Sequence, residues 1–77
     1  MTKNLLPETN LAGIARRFRE QAGKSRAQAA REMKVAQVSI FRAEEDPKES
    51  LLKLRVRMIE AYSPYKVVGP VFILKKK

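Results

Sequence analysis

The sequence predicts a mostly α-helical domain of four helices, followed by a C-terminal β-strand or hairpin. Apolar residues recur at three- and four-residue intervals through residues 10–62, which is the pattern of amphipathic helices. Residues 65–74 are instead rich in β-branched and aromatic side chains, which favours strand. A chain of 77 residues forms only a small core, whose stability is marginal without a partner chain. We therefore expect a helical domain over 1–62 and a β-strand dimerisation tail over 63–77.

The first helix is predicted over about residues 10–22, after nine residues that show no clear period and are expected to form an arm. Thr9 or Asn10 can cap its start, and Gly23 is suited to end it. The apolar residues that share one face of this helix are Leu11, Ile14, Ala15, Phe18 and Ala22.

The second and third helices are predicted over about residues 25–33 and 36–44. Ser25 and Gln28 match the capping box, in which the cap residue and the third helical residue bond each other's backbone amides. Two short helices joined by a tight turn form the helix-turn-helix layout. The turn usually needs a residue with positive φ, commonly glycine, and Lys34 stands in that place. The inward stripe of the second helix is short and small: Ala29, Ala30 and Met33.

The fourth helix is predicted over about residues 47–62. Asp46 reads as its cap, Pro47 as its first residue and Glu49 as the partner that closes a capping box. Its apolar face consists of Leu51, Leu52, Leu54, Met58, Ile59 and Tyr62. Its charged residues are expected on the other faces: Lys53, Arg55, Arg57 and Glu60.

The tail carries apolar side chains on both faces of an extended strand, and a small helical body covers only one such face. Gly69-Pro70 could turn the chain into a hairpin, although hairpin turns prefer other residue pairs. We favour a single bent strand that pairs with its copy in a homodimer, because an unpaired strand edge is a liability. The candidate dimerisation residues are Val67, Val68, Val71, Phe72, Ile73 and Leu74.

The charge balance predicts nucleic acid as the partner. Seventeen Lys and Arg stand against eight acids, which gives a net charge of +9 and a pI near 10.4. Residues 43–50 hold four acids and one base, so the positive excess lies on either side of them. Aromatic residues are few, which disfavours a single-strand binder that stacks bases. An anionic membrane surface is the alternative partner for the same charge.

The composition also excludes several classes of function. The chain has no cysteine and no histidine, so it lacks thiolate nucleophiles, the commonest metal ligand and the commonest general base. We therefore expect no enzyme activity, no catalytic residues, no metal and no cofactor, and no small-molecule ligand is evident. Apolar runs are too short for a membrane span, and no signal peptide is recognisable. The expected location is cytoplasmic, associated with the nucleoid through DNA.

Residues 11–61 resemble the phage repressor and Cro (XRE-like) superfamily of helix-turn-helix DNA-binding domains. The stretch that carries the resemblance is GIARRFREQAGKSRAQAAREMKVAQVSIFRAEED, which follows the family's run of a first helix, a small-residue second helix, a turn, a recognition helix and a closing Glu. Agreement is good at Ala30, Val35, Ile40 and Glu44, whereas Lys34, Phe41 and Ala43 depart from the family pattern. The resemblance implies a repressor-like four-helix domain.

The resemblance also assigns roles to individual residues. It implies DNA base reading by Gln37, Val38 and Arg42. It implies DNA phosphate binding by Ser25, Arg26 and Ser39. Arg19 and Glu44 occupy positions that form a structural ion pair in several family members. Phe41 either touches thymine methyl groups or folds into the core.

Together these expectations describe a sequence-specific, double-stranded DNA-binding transcriptional regulator. The favoured form is a Cro-like repressor that binds a palindromic operator as a homodimer, with half-sites about 34 Å apart. Two alternatives remain open: the DNA-binding antitoxin of a toxin–antitoxin pair, and a basic RNA-binding protein.

Overall fold

A computed structural model describes residues 5–6, 8–46, 48–68 and 72–77. Four helices and a small antiparallel sheet make up the described part of the fold, so the predicted mostly-α class with a C-terminal β-strand or hairpin is confirmed. The elements in chain order are β1 (Leu5–Leu6), α1 (Glu8–Gln21), α2 (Arg26–Met33), α3 (Gln37–Glu45), α4 (Leu52–Tyr62), β2 (Tyr65–Val68) and β3 (Phe72–Lys76).

The ends of α1 and α2 follow the predicted caps with one exception. α1 begins at Glu8, so Thr9 and Asn10 lie inside the helix and neither caps it. Gly23 has φ 72° just beyond its end, as predicted. The capping box of α2 is present: the Gln28 amide donates to Ser25 Oγ over 3.1 Å, and the Ser25 amide donates to Gln28 Oε1 over 2.8 Å.

The turn between α2 and α3 depends on Lys34, which adopts left-handed backbone angles of φ 60° and ψ 46°. This conformation costs a non-glycine residue roughly 1–2 kcal/mol. Two backbone bonds offset part of that cost, because the amides of Lys34 and Val35 satisfy carbonyls in the last turn of α2. The turn therefore has the geometry that its position in the sequence predicts, with lysine in place of glycine.

The predicted start of α4 is wrong. The helix begins at Leu52, and Leu51 before it provides no side-chain cap. Asp46 instead organises a turn, since its Oδ1 accepts from the Lys48 amide at 3.1 Å and its carbonyl from the Glu49 amide at 3.0 Å. The Asp46 side chain is thus engaged in this turn and does not cap a helix. Pro47 lies outside the described residues.

A single core joins all four helices, and it contains an unexpected arginine. Arg55 was expected on an outer face of α4 but is fully buried. Its Nε donates to the Ala43 carbonyl over 2.8 Å and its Nη2 to the Asp46 carbonyl over 2.6 Å, which fixes the end of α3 against α4. The buried apolar residues are Leu11, Ala15, Ala29, Ala30, Met33, Ile40, Ala43, Leu54, Met58 and Ile59.

The three strands form one antiparallel sheet in the order β1-β3-β2. The pairing Val67↔Leu74 joins β2 to β3 within one chain, so the favoured single bent strand is wrong and the tail forms two paired strands, whereas its pairing with a second subunit stays a prediction. Both of these side chains pack against the helical core, which covers that face of the hairpin. Within the predicted N-terminal arm, Leu5 and Leu6 form β1 and pair with β3. Residues 69–71 lie outside the described part.

Candidate nucleic-acid interface

The helix α3 presents two opposite sets of side chains. Ile40, Ala43 and Glu44 are buried against the rest of the protein. The other set is exposed, and its spacing of one and four residues places it on one side of the helix; we call it the outer face, and it consists of Gln37, Val38, Phe41 and Arg42. The three residues expected to read bases all lie on the outer face.

The polar side chains of the outer face make no internal polar contact with the residues that the structure describes. In the described part of the chain, neither Gln37 nor Arg42 makes a side-chain hydrogen bond or a salt bridge. Both side chains are exposed, so their donors and acceptors remain available to a partner. Ser39, the third predicted phosphate contact, is only half-exposed and lies beside the outer face.

The C-terminal end of α3 is held by a network of ion pairs. Arg19 donates to Glu44 from Nε over 2.5 Å and from Nη2 over 3.1 Å, which is the ion pair that the resemblance implies. The Glu44 side chain is completely buried, and Arg26 Nε also donates to it over 2.9 Å. Arg16 and Arg26 both bond Glu45. We call this set the carboxylate cluster: Arg16, Arg19, Arg26, Glu44 and Glu45.

Arg26 has a different environment from that of a free phosphate ligand. Its Nη2 lies 2.6 Å from Glu45 Oε2, and its guanidinium carbon lies 5.0 Å from the centroid of the Phe41 ring. The hydrogen bond to Glu44 is the main cause of a raised pKa for the Arg26 guanidinium. Two carboxylates therefore compensate this cation within the chain. Its role in phosphate binding stays a prediction.

Ser25 keeps a capacity for anion binding even though it caps α2. Its Oγ accepts the Gln28 amide, which leaves the hydroxyl proton free to donate. The hydroxyl lies at the N-terminus of α2, where the helix dipole and free amides favour an anion. The predicted phosphate contact at this position is compatible with the capping geometry.

The structure excludes one of the two roles left open for Phe41, and contact with thymine methyl groups stays a prediction. Its side chain is 49% exposed, which excludes a place in the core. Val38, one helical turn earlier, is 50% exposed. Within the described residues these two are the large hydrophobic side chains with the greatest exposure.

Uncompensated positive charge gathers near the turn that precedes α3. Among the described residues, the ion pairs lie on α1, α2, the residues that link them and the C-terminal end of α3. Arg57 on α4 donates to the Met33 carbonyl over 2.6 Å, so its guanidinium lies beside the turn that contains Lys34. Lys53, one turn before Arg57, shares its face of α4. Neither residue joins an ion pair in the described part.

A groove of about 540 Å³ runs beside α3 at the same end. Its apolar floor comes from the turn and from the start of α4, and Lys53 and Arg57 supply its charge. Among the described residues, no carboxylate lines it. Its lining residues are Val35, Ser39, Ser50, Leu51, Leu52, Lys53, Leu54 and Arg57.

The sequence analysis did not predict that Lys34, Lys53 and Arg57 form a positively charged surface near the N-terminal end of α3. The signal that could have found two of them is their spacing, because residues four apart on α4 share a face. Their proximity to the turn depends on how α4 crosses α2, which the sequence pattern does not specify.

Of the predicted dimerisation residues, Val67 and Leu74 are partly buried against the core of their own chain. Val68 is half-buried. Val71 and the side chains of Phe72 and Ile73 lie outside the described part. The expected role of these residues in a dimer remains a prediction.

The described residues contain neither a candidate metal site nor a candidate membrane-spanning helix. No group of three or more carboxylates is placed to hold a metal ion. None of the four helices combines the length and the apolar character needed to cross a lipid bilayer.

Comparisons with models of known protein families, with curated proteins and with solved structures return no match.

Proposed function

We propose that this chain is a sequence-specific, double-stranded DNA-binding transcriptional regulator, of the Cro-like repressor type, that binds a palindromic operator as a homodimer. The outer face of α3 carries the proposal. An α-helix with its side chains is about 10–12 Å across, and the major groove of B-DNA is about 12 Å wide. A helix that is anchored on its inner side and free on its outer side suits insertion there.

The chemistry of the outer face matches the groups that bases display in the major groove. Gln37 can bond N6 and N7 of adenine through its amide, and Arg42 can bond O6 and N7 of guanine through its guanidinium. Each such bidentate pair discriminates against a wrong base by about 1–3 kcal/mol. The absence of internal partners for these two side chains, among the described residues, supports this role.

The surrounding cations supply the sequence-independent part of binding. Lys34, Lys53 and Arg57 lie at the N-terminal end of α3, and Ser25 lies at the start of α2. Contacts from these residues to phosphates would release counterions, so affinity would fall steeply with salt. Phosphate contacts position the helix, and the outer face supplies the choice of sequence.

The proposed homodimer does not form by pairing of β2 with a strand of the second copy. The outward amides of β2 already have acceptors, because Tyr65 N donates to Ser63 Oγ over 3.2 Å and Val67 N donates to Glu60 Oε2 over 3.1 Å. A second copy would therefore dock on another surface. Two copies would place their α3 helices about 34 Å apart, one turn of DNA.

The test is selection of bound duplexes from a random pool at a fixed salt concentration. We expect enrichment of a palindromic motif with two half-sites one helical turn apart. A variant carrying both Gln37→Ala and Arg42→Ala serves as the control and is expected to bind weakly without enrichment. Failure to enrich any motif, or equal binding to a structured RNA competitor, would contradict the proposal and favour a basic RNA-binding protein.

A further inference from the structure

Val38 and Phe41 are apolar side chains on a face that is otherwise polar. They lie three residues apart on α3, so they are neighbours on the helix surface. Each is about half-exposed although the core lies on the opposite side of the same helix. Gln37 and Arg42 flank them.

Phe41 is held in its outward position by a contact that reaches back to α2. The guanidinium of Arg26 lies over one face of the ring, 5.0 Å from its centroid. Arg26 is itself fixed by Glu44 at 2.9 Å and by Glu45 at 2.6 Å. A cation anchored at two points and placed on a ring face favours that ring position. With Arg26 over the ring, Phe41 is still 49% exposed and can contact a partner.

Resting on the proposed function, we propose that Phe41 and Val38 determine specificity by contacting the 5-methyl groups of two thymines in the major groove, and that Arg26 is the positioning residue for Phe41. The thymine methyl is the apolar group that bases present in the major groove. Two residues three apart along a helix differ in height by about 4.5 Å. Successive bases along one strand differ by about 3.4 Å. The two thymines are therefore expected within one or two base steps of each other.

A protein partner is a weaker interpretation of the same surface. Two half-exposed side chains make a small apolar patch, and docking surfaces are normally larger and contiguous. Gln37 and Arg42, which border it, also have chemistry suited to base edges. A protein interface is retained as an outcome of the test.

The first experiment changes the DNA and uses the wild-type protein. In the duplex enriched by selection, each thymine is replaced in turn by deoxyuridine, which removes only the methyl group. We expect two positions in each half-site at which affinity falls about fourfold, the value for one buried methyl-sized group. Fluorescence anisotropy at fixed salt measures the ratio of the two dissociation constants at each position.

Single variants then assign each methyl to a side chain. With Phe41→Ala, the uridine effect should disappear at one position and persist at the other, and Val38→Ala should give the reverse pattern. With Arg26→Met, the effect at the Phe41 position should shrink while the effect at the Val38 position stays. If Arg26 has only a structural role, Arg26→Met will lower the overall affinity and change the uridine effects at the two positions alike. That result would overturn the assignment of Arg26 as the positioning residue for Phe41.

The outcomes separate this proposal from the proposed function. Sequence-specific duplex binding with no uridine effect at any position would overturn the thymine assignment and leave the proposed function standing. Loss of a homodimer on sedimentation of Phe41→Ala, with uridine effects unchanged, would identify a protein interface and overturn the proposal. No sequence-specific duplex binding by the wild-type protein would overturn both.

Discussion

The two sides of α3 differ in how completely their polar groups are satisfied. In the carboxylate cluster, Glu44 is buried and accepts three hydrogen bonds from two arginines. On the outer face, Gln37 and Arg42 are exposed and have no side-chain partner in the described part of the chain. Glu44 and the outer face belong to one nine-residue helix.

This difference shows how one short helix can be held firmly in the fold and still offer polar side chains to a binding partner. Burial of Ile40 and Ala43 and the bonds to Glu44 fix the position of α3. The polar groups that are not needed for this fixing point outward. The same helix therefore keeps its unsatisfied hydrogen-bonding capacity on the side where a partner can reach it.

The largest expected effect comes from breaking the carboxylate cluster. Glu44→Gln removes a buried charge and leaves Arg19 and Arg26 without their shared partner, so we expect the free energy of unfolding to fall by about 3–5 kcal/mol. Urea unfolding followed by circular dichroism measures the change.

The matched control for that change is Glu45→Gln, at a partly exposed neighbour where an ion pair contributes only about 0–1 kcal/mol. A double-mutant cycle between Arg19→Met and Glu44→Gln should show a clear interaction energy. Two outcomes would contradict this prediction: additive changes in the free energy of unfolding in the cycle, or equal decreases for Glu44→Gln and Glu45→Gln. Either would show that burial does not strengthen the contribution of the Arg19–Glu44 pair to stability.

Breaking the outer face should affect binding and leave folding unchanged. Arg42→Ala is expected to weaken binding to the preferred duplex by about 1–3 kcal/mol, with much less effect on a random duplex, because a bidentate base contact is lost. Anisotropy titrations on both duplexes measure this.

The control for Arg42 is Arg17→Ala, which removes an exposed arginine from α1. It should change both affinities alike and only slightly. Equal weakening of both duplexes by Arg42→Ala would make Arg42 a phosphate contact.

A side-chain cap added at the start of α3 should stabilise the helix and leave its outer face unchanged. Ala36 occupies the cap position in extended conformation, with φ −68° and ψ 149°, and offers no side-chain acceptor. Ala36→Ser should raise the free energy of unfolding by about 1 kcal/mol, because its hydroxyl can accept a first-turn amide. Ala61→Ser, at an exposed position inside α4, is the control and should be neutral or slightly destabilising. Equal effects at both positions would exclude capping as the cause.

The smallest effect concerns a pH-dependent link between α2 and α4. Hydrogen bonds from Lys24, at 2.8 Å, and from Tyr62, at 2.6 Å, hold the pKa of Glu32 below its usual value. A lowered pKa in the folded state gives stability above the unfolded pKa of about 4.3, and this stability is lost as pH falls through the folded pKa. Glu32→Gln should therefore shift the urea midpoint slightly downward at pH 7 and less at pH 3. Glu49→Gln is the control, and an unchanged difference between the two pH values would contradict the link.

Local chemistry made much of the fold predictable. The capping box at Ser25, the positive φ at Gly23 and the left-handed turn at Lys34 each follow from a few neighbouring residues. The start of α4 was missed because the Asp46 side chain can serve either a helix cap or a turn, and in the structure it accepts from the Lys48 amide in a turn that ends before the helix begins. Burial of Arg55 itself depends on carbonyls that tertiary packing brings close.

The site was predictable to a similar extent. Helical periodicity places Gln37, Val38 and Arg42 together on an exposed side. It does not show that Arg26 is engaged by Glu44 and Glu45, because those residues lie on another helix. The sequence pattern also did not predict the three-stranded sheet. In that sheet β3 pairs with both β1 and β2, so segments from the two ends of the chain come together.

The contact between Arg26 and Phe41 has a consequence for how specificity could diverge in evolution. Gln37, Val38 and Arg42 have no polar side-chain link to the body of the protein in the described part, so substitutions there can alter the preferred sequence with little effect on folding. Phe41 is linked through Arg26 to the carboxylate cluster. A new residue at 41 would change the environment of Arg26 as well, so its effects are coupled to stability. Descendants of this chain would therefore explore new operators most freely at 37, 38 and 42, with change at 41 accompanied by change at 26.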